Sequence, residues 1–248
     1  MTTRRETLGK RPLMPGGTKS LRPEMLGELL RRGRWFNDLP PDLQHRILAV
    51  SRIRDFARGE VIALQGAQPA ALSVVLAGAV KLVRQARQGD EALLYICEPG
   101  FWFGEYGVLT GESILVTAIA KTRTRLLILP KSEIDSIVRD RPLHFRHFAM
   151  LSIRRTSAYL KAYIHATSLE PEARLRGQLY VLSQMKMDEL GAQPPVELPY
   201  SQSELASLIG VSRQTVNQLM HSLVAKGFVE ARFKHVRVLA PQELVAGL

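Results

Sequence analysis

A single cysteine, Cys97, stands among the 248 residues. One thiol cannot close an intramolecular disulfide, and it excludes any all-cysteine iron–sulfur or zinc site within one chain. In the run Leu93 to Cys97 it reads as a small buried hydrophobe. No apolar run approaches the length that crosses a bilayer. The segment Met1 to Arg34 is polar, basic and rich in Gly and Pro rather than built like a signal peptide. These absences predict a cytoplasmic protein with no membrane partner.

Catalytic constellations are missing as well. There is no strand-GxxxxGK[ST]-helix phosphate loop, no HxxxH metal spacing and no Ser/His/Asp order. Glu105 and Glu112 are the one carboxylate pair to consider. No catalytic residue is assigned and no enzyme is predicted. Of the six histidines, only His144 and His147 have a spacing suggestive of a haem ligand. At the start of a basic helix they read as a solvated face, so neither metal nor cofactor is expected.

Positive charge is plentiful but uneven. The net charge is +11. Residues 1–34 hold nine Lys/Arg against three Asp/Glu, and residues 139–166 hold six against one. Residues 35–138 and 167–248 are each balanced. Within the last segment, however, Arg213, Lys226, Arg232, Lys234 and Arg237 face Glu230 alone between positions 213 and 237. That local excess suits phosphate contact, although a charge run is more often a solvated face.

The chain divides by composition into four parts. Residues 1–22, interrupted by Pro12, Pro15, Gly16 and Gly17, read as a flexible basic tail. In residues 23–138 a short helix with Leu43, Ile47, Leu48 and Val50 gives way near Ile53 to extended segments at 61–64, 73–76, 80–83, 92–96, 116–120 and 125–129. Glycines punctuate these segments, which predicts an antiparallel barrel or sandwich. Residues 139–166 predict a long helix with Pro142 in its first turn. Two stripes recur along it: Phe148, Leu151, Arg155, Ala158, Ala162 and His165, and Phe145, Ala149, Ser152, Thr156, Tyr159 and Tyr163. The helix suits a dimerisation rod, and the sequence alone does not pick the seam.

Residues 167–248 contain the most informative stretch, Gln202 to Met220. Ala206 allows two helices to approach, Gly210 allows a turn, and Leu205, Ile209, Val211, Val216 and Leu219 form one apolar face. This is a helix-turn-helix pattern. Ser212 is a natural N-cap for the second helix, and Arg213, Gln214, Thr215, Asn217 and Gln218 can hydrogen-bond base edges or phosphates. Ser201, Gln202 and, in the following β-ribbon or wing, Lys234 complete the candidate DNA-binding set. A bare helical hairpin needs Ala and Gly too, but it would more often carry Glu and Lys on its outer face.

With this order of parts the chain resembles the Crp/Fnr family of bacterial transcriptional regulators. The residues that carry the likeness are Arg58 to Ile62, Val74 to Val80, Phe103 to Gly107, Leu205-Ala206 and Ser212 to Val216. The resemblance implies an α+β fold: an N-terminal antiparallel, jelly-roll-like β-roll sensor domain over residues 23–138, a dimerisation helix, and a C-terminal winged helix-turn-helix domain. It further implies a homodimer on double-stranded DNA, working with RNA polymerase. A small effector would act allosterically through the β-roll.

Departures from the family pattern bear on that effector. In members that bind cyclic nucleotides, the Gly-Glu pair, here Gly104 and Glu105, is followed by an Arg and a Ser or Thr that hold the cyclic phosphate. Those positions are occupied by Ile114 and Leu115. Where such members turn small hydroxyl residues toward the base stand Tyr159 and Leu160. Gly104, Glu105, Ile114, Leu115 and Tyr159 are the candidate effector residues. Ordinary cyclic AMP binding is disfavoured, because a phosphate against Ile and Leu loses its water without gaining a partner. The alternative is a cyclic-nucleotide or cyclic-dinucleotide regulator with a rearranged phosphate site built on Arg123 or Arg125. On the DNA side, Arg213 matches the family's guanine-reading Arg. Gln214 and Gln218 stand where many members have Glu and a second Arg, which favours an adenine in the half-site. A protein-only interaction module is the third reading.

Overall fold

A computed structural model describes residues 23–31, 33–85, 91–166, 170–232 and 234–247; the expected tail at 1–22 lies outside the described residues. Three helices lead in: α1 (Pro23–Leu30), α2 (Arg34–Asn37) and α3 (Pro41–Val50). They are followed by β1 (Arg52–Phe56), β2 (Val61–Ala63), β3 (Ala71–Ala77), β4 (Val80–Gln85), β5 (Glu91–Cys97) and β6 (Trp102–Phe103). A short helix α4 (Glu105–Thr110) precedes β7 (Thr117–Ala120) and β8 (Thr124–Pro130).

The strands form two four-stranded antiparallel sheets, ordered β1-β8-β3-β6 and β2-β7-β4-β5. Alternation assigns their faces. In β3 and β8, Leu72, Val74, Leu76, Leu127 and Leu129 are buried against Leu30, Trp35, Phe36 and Ile47 of the leading helices. Residues of the opposite face, Val75 and Leu126, join Phe103, Val80, Tyr95, Ala118 and Ala120 between the sheets. This is the antiparallel β-roll expected from the short extended segments and the glycines between them.

Beyond it, α5 (Lys131–Asp140) and a 3₁₀ turn at Pro142–His144 precede the long helix α6 (Phe145–Ala166). The helix therefore starts at Phe145, not at 139. Arg141, the residue before Pro142, is extended (φ −141°, ψ 93°), because the proline ring clashes with a helical conformation there. Along α6, Phe148, Leu151 and Arg155 are buried within the chain. Neither expected stripe is left outward as a whole. Among the described residues a third apolar face is open to solvent, Met150, Ile153, Leu160 and Ile164 with exposed Ser157 between them, beside exposed Phe145 and Tyr163 of the second stripe.

Helix α7 (Pro171–Leu190) packs on α6 and leads to β9 (Val196–Leu198), α8 (Gln202–Ile209), α9 (Arg213–Ala225), β10 (Val229–Arg232) and β11 (His235–Val238). The last strands form a sheet ordered β10-β11-β9. This unit is docked on the β-roll. The buried Tyr200 hydroxyl accepts from the Ile96 N–H at 2.9 Å. Lys121 Nζ donates to the Pro199 carbonyl at 2.8 Å and pairs with Glu204 at 2.7 Å. The Ser207 hydroxyl accepts from the Leu93 N–H at 3.3 Å. One apolar cluster runs from Phe103 and Val75 through to Leu205 and Val238.

Candidate nucleic-acid interface and effector cavity

Helix α8 opens with a reciprocal cap. The Ser201 hydroxyl accepts from the Glu204 N–H at 3.3 Å, and the Glu204 carboxylate accepts from the Ser201 N–H at 2.7 Å. The Ser-x-x-Glu spacing that signals this cap is present in the sequence. Ser201 is thus committed to holding the helix rather than reaching outward. Burial raises the Glu204 pKa, but hydrogen bonds from Lys121 and Ser201 outweigh it and hold the carboxyl below its ordinary value.

Gly210, at φ 67°, ends α8 in the left-handed conformation that glycine adopts without strain. Ser212 then caps α9, accepting from the Thr215 N–H at 3.0 Å, and its hydroxyl lies 2.8 Å from that of Thr215. The side chain of Asn217 donates to Gln202 at 3.1 Å. Gln202 and Asn217 therefore interlock the two helices, and half-buried Thr215 supports the cap. Arg213, Gln214 and Gln218 are exposed together on the first turns of α9, beneath Val216 and Met220, which are buried. Lys234 is exposed at the tip of the wing with φ 60°.

The sequence count overstated the local positive charge. Arg232 and Arg237 pair with Glu230 at 2.9 and 3.3 Å and with Glu197 at 3.4 Å, while Lys226 pairs with Glu172 at 2.5 Å. Glu197 and Glu172 lie far from these bases in sequence and were outside the window counted. Hydrogen bonds from Arg232 and Arg237 hold the Glu230 carboxyl below its ordinary range.

The second site is a cavity of about 2000 Å³. Ile62, Leu82, Tyr95 and Phe103 line it from the roll, Arg155 and Thr156 from α6, and Gln178 and Leu208 from α7 and α8. Gly104, Glu105, Ile114 and Leu115 all belong to its wall. Gly104 stands at φ 96°, and a Cβ there would lie 2.8 Å from the Ala71 carbonyl oxygen, so no other residue fits. The side chain of Tyr159 lies outside the described residues.

Arg155 sits at the cavity floor, 2% exposed. Its guanidinium meets Glu105 at 2.7 Å and Glu189 at 3.3 Å, donates to the Trp102 carbonyl, and lies 4.2 Å from the Phe101 ring centroid. The sequence placed Arg155 on a helical stripe with Phe148 and Leu151 without giving it a partner. A charge inside an apolar stripe was the available signal. Glu112 is hydrogen-bonded to Tyr106 rather than joined with Glu105.

No replacement phosphate anchor stands at Ile114 and Leu115. Ile114 exchanges backbone hydrogen bonds with Gly66 and Ala67 at 2.8 and 2.9 Å, and Leu115 is 56% exposed. The next hydroxyl, on Thr117, is buried and accepts from the Gln65 N–H at 3.1 Å. Arg125 is held by Asp55 at 2.7 and 2.8 Å, and Arg123 is exposed and not part of the wall.

Comparison with known proteins agrees with the order of the two domains. Residues 53–141 match the family model described as cyclic nucleotide-binding domain, and residues 173–246 match the Crp-like helix-turn-helix domain. The chain is 30% identical to the cyclic AMP receptor protein of Thermus thermophilus, over 78% of this chain and 87% of that one. It is 25% identical to a CRP-like cAMP-activated global transcriptional regulator of Mycobacterium tuberculosis, over 88% and 98%. Among solved structures, FixK2 from Bradyrhizobium japonicum shares the fold with a TM-score of 0.66 at 15% identity, over 79% of this chain and 96% of that one. With its β-roll, long helix and winged helix-turn-helix in this order, the chain belongs to the Crp/Fnr family of transcriptional regulators.

Proposed function

We propose that this regulator works in the cytoplasm as a homodimer that reads a two-fold symmetric operator with α9 and acts on RNA polymerase at the promoter, under control of a small effector in the β-roll. The observation that carries the reading is the joint exposure of Arg213, Gln214 and Gln218 on the first turns of a capped helix. Arg213 is the guanine reader, its fork matching O6 and N7, and Gln214 and Gln218 favour adenine. Gln202, Asn217, Ser212 and Thr215 fix the helix pair, while Lys234 on the wing and the two helix N-termini, that of α8 behind Ser201 included, face phosphate.

The dimer seam in this reading is the exposed stripe of Met150, Ile153, Ser157, Leu160 and Ile164, whose alternating three- and four-residue spacing repeats every seven residues. It lies opposite the buried face of Arg155, so one helix serves its own protomer and its partner with different residues. Ordinary cyclic AMP is disfavoured as the effector, since Ile114 and Leu115 give a phosphate no partner. Selection of binding sites from a random duplex pool, followed by titration over a range of salt, tests the reading. Enrichment of a palindrome and a steep salt dependence are expected; salt-insensitive or absent binding overturns it.

A further inference from the structure

We propose that the cavity takes an uncharged, largely apolar organic molecule that touches the β-roll and α8 at once, and that no phosphate-bearing nucleotide is its ligand. This rests on the reading of the chain as an effector-controlled regulator and names the chemical class of that effector.

Charge decides the class. The buried cation on the wall, Arg155, is already faced by two carboxylates, Glu105 at 2.7 Å and Glu189 at 3.3 Å. The three groups together carry one excess negative charge, so an incoming phosphate meets repulsion where a receptor for it would offer a free cation. Of the other arginines on the wall, Arg125 is held by Asp55 and Arg54 by Glu60 at 3.4 Å. Arg52 also lines the wall and is exposed, so it brings no buried charge to the ligand. An uncharged molecule avoids this cost and gains from Ile62, Leu82, Tyr95, Phe103, Ile114 and Leu115. Any N–H or O–H it carries has an acceptor in Glu105.

Size and position give the consequence for control. Pockets for small organic ligands hold roughly 300–1,000 Å³; this cavity is larger, is open to solvent on one side, and has Gln178 and Leu208 of the DNA-binding unit on its wall. A ligand that fills only the roll side leaves that wall uncovered. Drawing α7 and α8 inward then improves its contacts, which is the differential affinity that a population shift requires.

The test is titration of the full chain with N-phenyl-1-naphthylamine, an uncharged apolar fluorophore. Saturable enhancement is expected, displaced by decanol but by neither cyclic AMP nor cyclic di-GMP. Ala118→Trp, filling the roll, and Leu208→Asp, charging the α8 wall, should each weaken probe binding by about tenfold or more. Far-ultraviolet circular dichroism and binding to random duplex DNA verify that each variant is folded, and the DNA arm reads the regulator assignment independently. Leu208→Asp, near the surface, keeps the test open if Ala118→Trp does not fold. Displacement by either cyclic nucleotide, or unchanged probe affinity in folded Leu208→Asp, overturns the proposal.

Discussion

Arg155 and Glu105 meet at 2.7 Å with the guanidinium 2% exposed and the glutamate 8% exposed. Glu189 closes the group from α7 at 3.3 Å. Three elements, α4, α6 and α7, are thereby tied through one side chain. Removing the cation leaves two carboxylates in a nearly dry setting. Arg155→Met should destabilise the fold by about 3–5 kcal/mol in urea unfolding at neutral pH, and adding Glu105→Gln and Glu189→Gln should restore most of that. A loss of about 1 kcal/mol or less would mean that water screens the cluster after all.

Arg213→Ala should weaken binding to the selected operator by about 1–3 kcal/mol and relax preference at one guanine, as read by fluorescence anisotropy. Equal losses on operator and random duplex would assign Arg213 to phosphate alone. Gln214→Glu should move preference at its position from adenine toward cytosine, since a carboxylate can only accept.

Glu204 links acidity to docking. Its pKa in the folded chain lies below the ordinary value, because Lys121 and Ser201 outweigh its burial. Its contribution is therefore fully present above the unfolded value of about 4.3 and is lost as pH falls through the folded one. Stability measured across the acid range should drop less steeply in Lys121→Met than in the parent chain. Identical slopes would place the acid sensitivity elsewhere.

The proposed dimer seam is open to disruption. Ile153→Glu and Leu160→Glu each put like charges opposite one another across a two-fold axis, and light scattering should show monomers. Leu143→Glu, on the 3₁₀ turn before α6, should leave the dimer intact although Leu143 is 81% exposed.

Cys97 is fully buried, and burial pushes its thiol pKa up. Iodoacetamide should modify it in urea and not in the native chain.

The strands of the roll were legible because short apolar segments around Val61, Val75, Val80, Tyr95 and Leu126 have strand length and are set off by Gly59, Gly66, Gly78, Gly100 and Gly104. Strand β6 has two residues and β9 has three, set among Pro194, Pro195 and Pro199, so neither is long enough to show a period. The reading helix was legible because capping and turn chemistry are local: Gly210 and Ser212 act on residues within one turn. What the sequence could not rank was the face of α6. Apolar spacing counts candidates, whereas burial is awarded by distant partners. Glu105 and Glu189 draw Arg155 inward and leave Ile153 and Leu160 outside. The charge near α9 was overcounted for the same reason, since Glu172 and Glu197 reach the basic residues through folding alone.

Tyr200 carries one more implication. Its ring is buried in the cluster shared by both halves, and its hydroxyl holds the Ile96 N–H of β5. The reading unit is consequently not an interchangeable cartridge. Grafted onto another sensor it would present a bare aromatic edge and an orphaned hydroxyl. Recombination within such chains should succeed only when β5 travels together with the segment that enters α8.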